Sequence, residues 1–202
     1  AVKEARTVYD NLTKVIAWTL PTDGGEGLAV VAAILVGATL PMTPLQILWI
    51  NMVTAVTLGL TLTFEPAEPN VMRRPPRRPD APLLSGFLIW RTVLVSLVFL
   101  AGIFGVFQWA LVRGEDIETA RTLVVNTIVV MEIAYLFSIR YLHMTALTWA
   151  GVLGTRAVLI GVGLVTAAQL ALTYLPPLQR IFDTRPVGLV EGLVVLGSGA
   201  AL

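Results

Sequence analysis

The chain has 202 residues, 56% of them hydrophobic and 13% charged, with a net charge of +1 and a mean hydropathy of +0.80. A soluble domain carries about 25% charge, so the composition excludes a soluble globular protein and indicates a polytopic membrane protein. The near-neutral balance gives nucleic acid binding no electrostatic support, the lack of cysteine rules out disulfides and thiolate metal sites, and a single histidine, His143, rules out a multi-histidine site.

The chain opens Ala1-Val2-Lys3-Glu4-Ala5-Arg6, without Met or a short apolar signal core, and ends inside an apolar run over 188–202. Both ends read as cut, so a piece of a longer protein is expected. A spanning helix needs about 20 largely apolar residues, and six candidates follow one another, predicting an all-α polytopic bundle of six transmembrane helices. The first, 11–38, is long and reads as interrupted by Pro21-Thr22-Asp23-Gly24-Gly25-Glu26-Gly27. The second, 44–64, carries Asn51 and Thr54 in its interior. It ends at an acidic Pro-rich knee, Glu65-Pro66-Ala67-Glu68-Pro69, followed by the basic Pro-rich loop Arg73-Arg74-Pro75-Pro76-Arg77-Arg78-Pro79. The prolines remove backbone donors and favour an extended path. The third span is 86–112, and the fourth, 119–139, holds Glu132. The fifth, 156–175, has small residues (Gly161, Gly163, Ala167, Ala168) that let helices approach closely. The sixth, 187–202, is short.

Orientation follows from the basic residues. With a cytoplasmic N-terminus, that side receives ten: Lys3, Arg6, Lys14, Arg73, Arg74, Arg77, Arg78, Arg91, Arg140 and Arg156. The other receives four: Arg113, Arg121, Arg180 and Arg185. The Pro/Arg loop is then inside and the acidic turn Glu115-Asp116-Ile117-Glu118 outside. Arg73 to Arg78 can hold anionic lipid or dock a cytoplasmic domain, or serve only as a topology signal. Trp18, Trp49, Trp90, Trp109 and Trp149 fall mostly near span ends, as an aromatic belt predicts, and His143 is expected at the interface.

Three acids are expected at membrane depth: Asp23, Glu26 and Glu132. Each costs roughly 2.5–3.5 kcal/mol there, and no Lys or Arg lies at comparable depth in any span, which leaves a proton or a bound cation as compensation. Asp23 and Glu26 are three apart and share a helix face, and Asn51 and Thr54 repeat that spacing. Five oxygen-bearing side chains from three helices can converge on one cavity suited to a hard cation such as Ca²⁺, Na⁺, K⁺ or H⁺. Each has a bland alternative. Asp23 can belong to a helix break near water, Glu26 or Glu132 can be a protonated packing group, and Asn51 an interhelical hydrogen-bonding group. Thr54 can bond its own helix, and Gln108 and Gln169 read as bonds to neighbouring helices.

The run Arg6-Thr7-Val8-Tyr9-Asp10-Asn11-Leu12, the Gly25-Glu26-Gly27 in the first span, and above all Pro44-Leu45-Gln46-Ile47-Leu48-Trp49-Ile50-Asn51-Met52-Val53-Thr54 with Phe64-Glu65-Pro66 and Met72-Arg73-Arg74-Pro75-Pro76 carry a resemblance. The chain resembles the last six membrane helices of P-type cation-transporting ATPases of the calcium-pump and sodium-pump branch. The resemblance covers essentially residues 1–202, as the C-terminal half of the transport domain. It implies cation ligation by Asp23, Glu26, Asn51, Thr54 and Glu132. It also implies two departures: Asp23 stands where the family has Asn, and Ala55 where it has Asp. One carboxylate is gained and one lost, and Asp23 is expected to replace the missing Asp in part. Ca²⁺ leads as the transported cation, with Na⁺, K⁺ and H⁺ open.

The family's phosphorylation motif and nucleotide-binding region are absent from these residues, so this chain alone is not expected to hydrolyse ATP. ATP and Mg²⁺ would act only through missing cytoplasmic domains. The implied partners are the lipid bilayer and the N-terminal membrane helices and cytoplasmic domains of a full-length pump, in a bacterial or archaeal plasma membrane. The implied mechanism is alternating access, with the long first span transmitting cytoplasmic motion. A secondary transporter or channel using the same acids without ATP, and a scaffold bundle without transport, are the competing readings.

Overall fold

A computed structural model of the protein describes residues 1–73, 75, 85–140 and 155–201. Every regular element among the described residues is helical. His143 and Trp149, and Arg74, Arg77 and Arg78 of the basic loop, lie outside the described residues.

Helix α1 runs Val2–Leu35, 34 residues, or about 50 Å at 1.5 Å per residue. It begins nine residues before the expected span and passes unbroken through the stretch from Pro21 to Gly27, which reads as an interruption in the sequence. Pro21 has no N–H to give the Ala17 carbonyl four residues back. The Tyr135 hydroxyl donates to that carbonyl instead, at 3.0 Å. The Ser96 hydroxyl donates to the Pro21 carbonyl, also at 3.0 Å. The Tyr135 bond thus satisfies the carbonyl that the proline frees, the usual condition for a proline inside a membrane helix, and the Ser96 bond adds a second tie. The glycines serve packing rather than a break. A Cβ on Gly24 would sit 2.7 Å from Ser96 Oγ, and one on Gly25 would overlap the Phe99 side chain.

Helix α2, Pro44–Thr63, starts at a capping box. The Thr43 hydroxyl accepts from Gln46 N at 3.2 Å, and Gln46 Oε1 accepts from Thr43 N at 2.9 Å, with Pro44 in the first turn where its missing donor is not needed. From Ala55 to Gly59 the helix widens into a π-turn. Helix α3, Gly86–Val112, is capped by Ser85 and turns Phe87, Ile89, Trp90, Val93, Leu94 and Leu97 outward, an apolar surface fit for lipid. Helix α4, Ile117–Ile139, buries residues around most of its circumference, from Ala120 to Ile139, and so is the central helix of the bundle. Helix α5, Arg156–Tyr174, is capped by Thr155. The short α6, Pro176–Phe182, and α7, Leu189–Ser198, with a terminal 3₁₀ turn at Gly199–Ala201, complete the described chain.

Among the described residues four helices (α2, α3, α4 and α5) are long and apolar enough to cross a membrane. The first and sixth expected spans do not meet that description. The N-terminal half of α1 is charged and its middle carries Asp23 and Glu26, while α7 has only 10 residues.

At the end of the bundle that bears the Pro/Arg loop, the acidic knee packs into the protein. Glu65 and Glu68 are buried. Arg140, one residue past α4, grips Glu65 with Nε–Oε1 at 2.9 Å and Nη2–Oε2 at 3.4 Å. Lys14 of α1 lies 3.4 Å from Glu68 Oε1. Asn11 donates to the Glu65 carbonyl at 2.8 Å and Arg6 to the Val71 carbonyl at 2.9 Å. The knee is therefore a buried strap tying α1 to the end of α4.

Candidate functional site

The helical period places Thr19, Asp23, Glu26, Gly27 and Val30 along one stripe of α1. Opposite them stand Ile47, Asn51, Thr54 and Ala55 of α2. Together with Trp18 they line a partly open cavity of about 340 Å³. Its floor is buried: Trp18, Glu26 and Thr54 are 2%, 3% and 2% exposed. Its mouth is formed by Asp23, Gly27 and Ala55, all exposed.

Four of the five expected site residues line this cavity, and Glu132 does not. It stands behind Thr54, whose hydroxyl donates to Ile50 O at 2.9 Å and approaches Glu132 Oε1 at 3.4 Å. Asn51 Nδ2 donates to Glu26 Oε2 at 3.2 Å and to Ile47 O at 3.1 Å. The polar chain thus runs Glu26–Asn51 on the cavity side and Thr54–Glu132 behind it. Asp23, expected at depth, is exposed at the mouth, one helical turn from Glu26. Among the described residues no three carboxylates, histidines or cysteines gather closely enough to hold a metal by themselves, so any ion here needs amide, hydroxyl or carbonyl oxygens as well.

Glu26 Oε1 and Glu132 Oε2 are buried with no hydrogen-bond partner among the described residues. Neither acid forms an ion pair there. The buried cations Lys14 and Arg140 are matched to Glu68 and Glu65 at the strap. A buried polar oxygen without a partner is costly.

The backbone next to them is loosened. Asn51, Thr54 and Thr57 each bond the carbonyl four residues back, a habit that bends helices, and the π-turn follows at once. Such turns occur frequently at functional sites. Gly161 of α5 fits against it: a Cβ there would lie 2.5 Å from Thr57 O. Gly163, expected to serve close approach too, faces open space.

Trp18 is not a belt residue. Its indole donates to the Glu132 backbone carbonyl at 3.2 Å and its ring faces Gly59 of the π-turn. Sequence reading missed it because Pro21 hid the continuity of α1. The i, i+4, i+8 series Trp18, Thr22, Glu26 is the signal that would have placed it. Trp49 donates to Gln169 Oε1 at 3.4 Å, which agrees with an interhelical role for Gln169, whereas Gln108 is exposed.

Helices long and apolar enough to cross a membrane, packed around a polar cavity with buried acids, define an integral membrane protein. The family model described as "Cation transporting ATPase, C-terminus" matches residues 39–202. The chain is 52% identical over 188 residues to the probable cation-transporting ATPase F of Mycobacterium bovis, covering 93% of this chain and 21% of that protein. It is 37% identical to the cation-transporting ATPase pma1 of Synechocystis, with the same coverage. It is 31% identical to the calcium-transporting ATPase of Bacillus subtilis, over 99% of this chain and 22% of that one. The protein belongs to the cation-transporting P-type ATPase family, in its C-terminal membrane region. It spans about a fifth of the length of the curated relatives it matches.

Proposed function

We propose that this chain is the C-terminal half of the transport domain of an ATP-driven cation pump, contributing six membrane passes and one wall of the ion path. In this reading α1 and the segment 187–202 are the first and last passes, and the N-terminus is cytoplasmic. The cation, Ca²⁺ first and Na⁺, K⁺ or H⁺ as alternatives, is cargo handled by Asp23, Glu26, Asn51, Thr54 and Glu132. ATP and Mg²⁺ belong to domains outside these residues.

The observation that carries the reading is the pair of orphaned buried oxygens, Glu26 Oε1 and Glu132 Oε2, beside a cavity without a basic side chain. A cation entering would give Glu26 Oε1 its missing partner. Asn51 holds the other Glu26 oxygen and orients the carboxylate toward the cavity. Thr54 relays between the cavity and Glu132. Asp23 at the mouth supplies a charge beside Ala55, the position where the resemblance expects an acid. Calcium is favoured by the name of the Bacillus subtilis relative and by the all-oxygen donor set, which suits hard cations.

The test is ATP hydrolysis and ion uptake by the full-length pump across a panel of cations. Glu26→Gln should abolish stimulation by the transported ion, and Asp23→Asn should weaken its apparent affinity at least tenfold. Wild-type ion affinity in both variants would overturn the assignment.

A further inference from the structure

A second groove lies away from the cation cavity, between the start of α3 and the last turns of α4. It has a volume of about 270 Å³ and is lined by Trp90, Arg91, Leu94, Val98, Tyr135 and Ser138 among others. Arg91 stands five residues past Gly86, about 7.5 Å along the helix from its start, at the end of the bundle that carries the Pro/Arg loop. Phe87 and Trp90 beside it are 65% and 61% exposed, the placement of aromatic side chains at a membrane interface. Leu94, 44% exposed, and Val98 continue the groove one and two turns deeper.

The guanidinium does not reach out to water, as a snorkelling side chain would. It folds back against α4, where Nη2 donates to the Ser138 carbonyl at 3.3 Å and the group lies 5.3 Å from the centre of the Tyr135 ring. The Tyr135 hydroxyl is itself engaged with Ala17 O. No carboxylate pairs with Arg91 among the described residues. A guanidinium has five N–H donors in a planar fork, and the Ser138 carbonyl takes one of them. A fixed cation at headgroup depth, with donors to spare and an apolar trough beneath it, has the charge and shape order of an anionic phospholipid.

We propose that this groove binds one anionic phospholipid, its phosphate on Arg91 and an acyl chain along Leu94 and Val98. Arginine suits the role because its fork matches phosphate oxygens two at a time. Among the described residues the site is built from α3 and α4 and shares no residue with the cation cavity, so lipid binding here does not depend on which ion the cavity handles.

The test is native mass spectrometry of the full-length pump in neutral detergent, with phosphatidylglycerol and phosphatidylcholine in competition. Wild type should retain one phosphatidylglycerol in preference to phosphatidylcholine. Arg91→Gln should reduce that preference about fivefold, the effect of one basic residue at an anionic surface, and Arg91→Lys should keep part of it. Leu94→Trp retains the charge but fills the trough, and should lower retention of both lipids. The proposal is overturned if wild type shows no preference, or if Arg91→Gln and Leu94→Trp both bind lipid as wild type does. It also fails if inorganic phosphate displaces the lipid at equal concentration, which would mean an anion site only, or if a co-purifying single-span protein occupies the groove.

Discussion

Removing the Arg140 guanidinium should destabilise the membrane bundle more than any other single surface-end change. Arg140 and Glu65 are 1% and 3% exposed at their side chains and meet through two contacts, at 2.9 and 3.4 Å. Two unit charges about 4 Å apart attract by about 4 kcal/mol at an effective dielectric of about 20. In Arg140→Met, Glu65 would keep Thr155 Oγ1, 3.4 Å away, and could escape its unpaired charge by taking a proton. The loss should therefore fall at the lower end of the range for a broken buried pair, about 3 kcal/mol. For an unfolding unit of this size that corresponds to roughly 6–12 °C in apparent melting temperature. Glu65→Met with Arg140→Met should recover most of it, because an apolar pair leaves no stranded charge. The assay is thermal unfolding of the full-length pump in one fixed lipid, run as a double-mutant cycle. A loss below about 1 kcal/mol in Arg140→Met, or additivity of the two changes, would refute the reasoning.

Three further predictions concern other places in the fold. Tyr135→Phe should cost about 1 kcal/mol by stranding the Ala17 carbonyl, and much less in a Pro21→Ala background, where the restored N–H serves that carbonyl; equal costs in both backgrounds would contradict the account of the proline. Gly161→Ala should push α5 off the π-turn, costing about 1–3 kcal/mol and weakening cation-stimulated ATPase activity, while Gly163→Ala serves as the neutral control. Asp116 caps α4 by accepting from Thr119 N at 2.6 Å, and the hydrogen bonds from Thr119 hold its carboxyl below the usual value. Its contribution is thus present above the unfolded carboxyl pKa and disappears as pH falls through the lower folded value. Asp116→Ala should cost about 1 kcal/mol at neutral pH, and the difference from wild type, followed by thermal unfolding, should vanish in acid.

Much of the bundle is readable from composition and hydropathy. The third span coincides with α3 at both ends, and the fourth and fifth differ from α4 and α5 by one or two residues, because apolar runs with clean caps at Ser85, Asp116 and Thr155 leave little ambiguity. Across the helices Glu26 meets Asn51, and Thr54 approaches Glu132, as the polar residues of the three spans suggest. What the sequence hides is whatever depends on partners far along the chain. Pro21 and three nearby glycines look like a break until Tyr135 takes up the freed Ala17 carbonyl and Ser96 ties the Pro21 carbonyl, each from 75 or more residues away. Glu65 and Glu68 look like loop acids until Arg140 and Lys14 bury them. Asp23 and Glu26 read alike in the sequence, yet the roughly 60° between their directions about the helix axis puts one at the cavity mouth and the other at its floor.

The continuity of α1 through Pro21 has a mechanical consequence. The helix is held near its middle by two borrowed hydrogen bonds, from Ser96 and Tyr135, and by glycines seated on α3. Its polar half is also tied to the strap through Arg6, Asn11 and Lys14, so a tilt about the centre would carry the knee with it. A tilt of about 5° about Pro21 would carry Val2 sideways by about 2.5 Å, given the roughly 28 Å of helix between them. Asp23 and Glu26 sit just past the fulcrum, where that same tilt moves them only fractions of an ångström, in the opposite direction. In such a tilt a large swing at the polar end, with the strap, would reach the acids as a small adjustment.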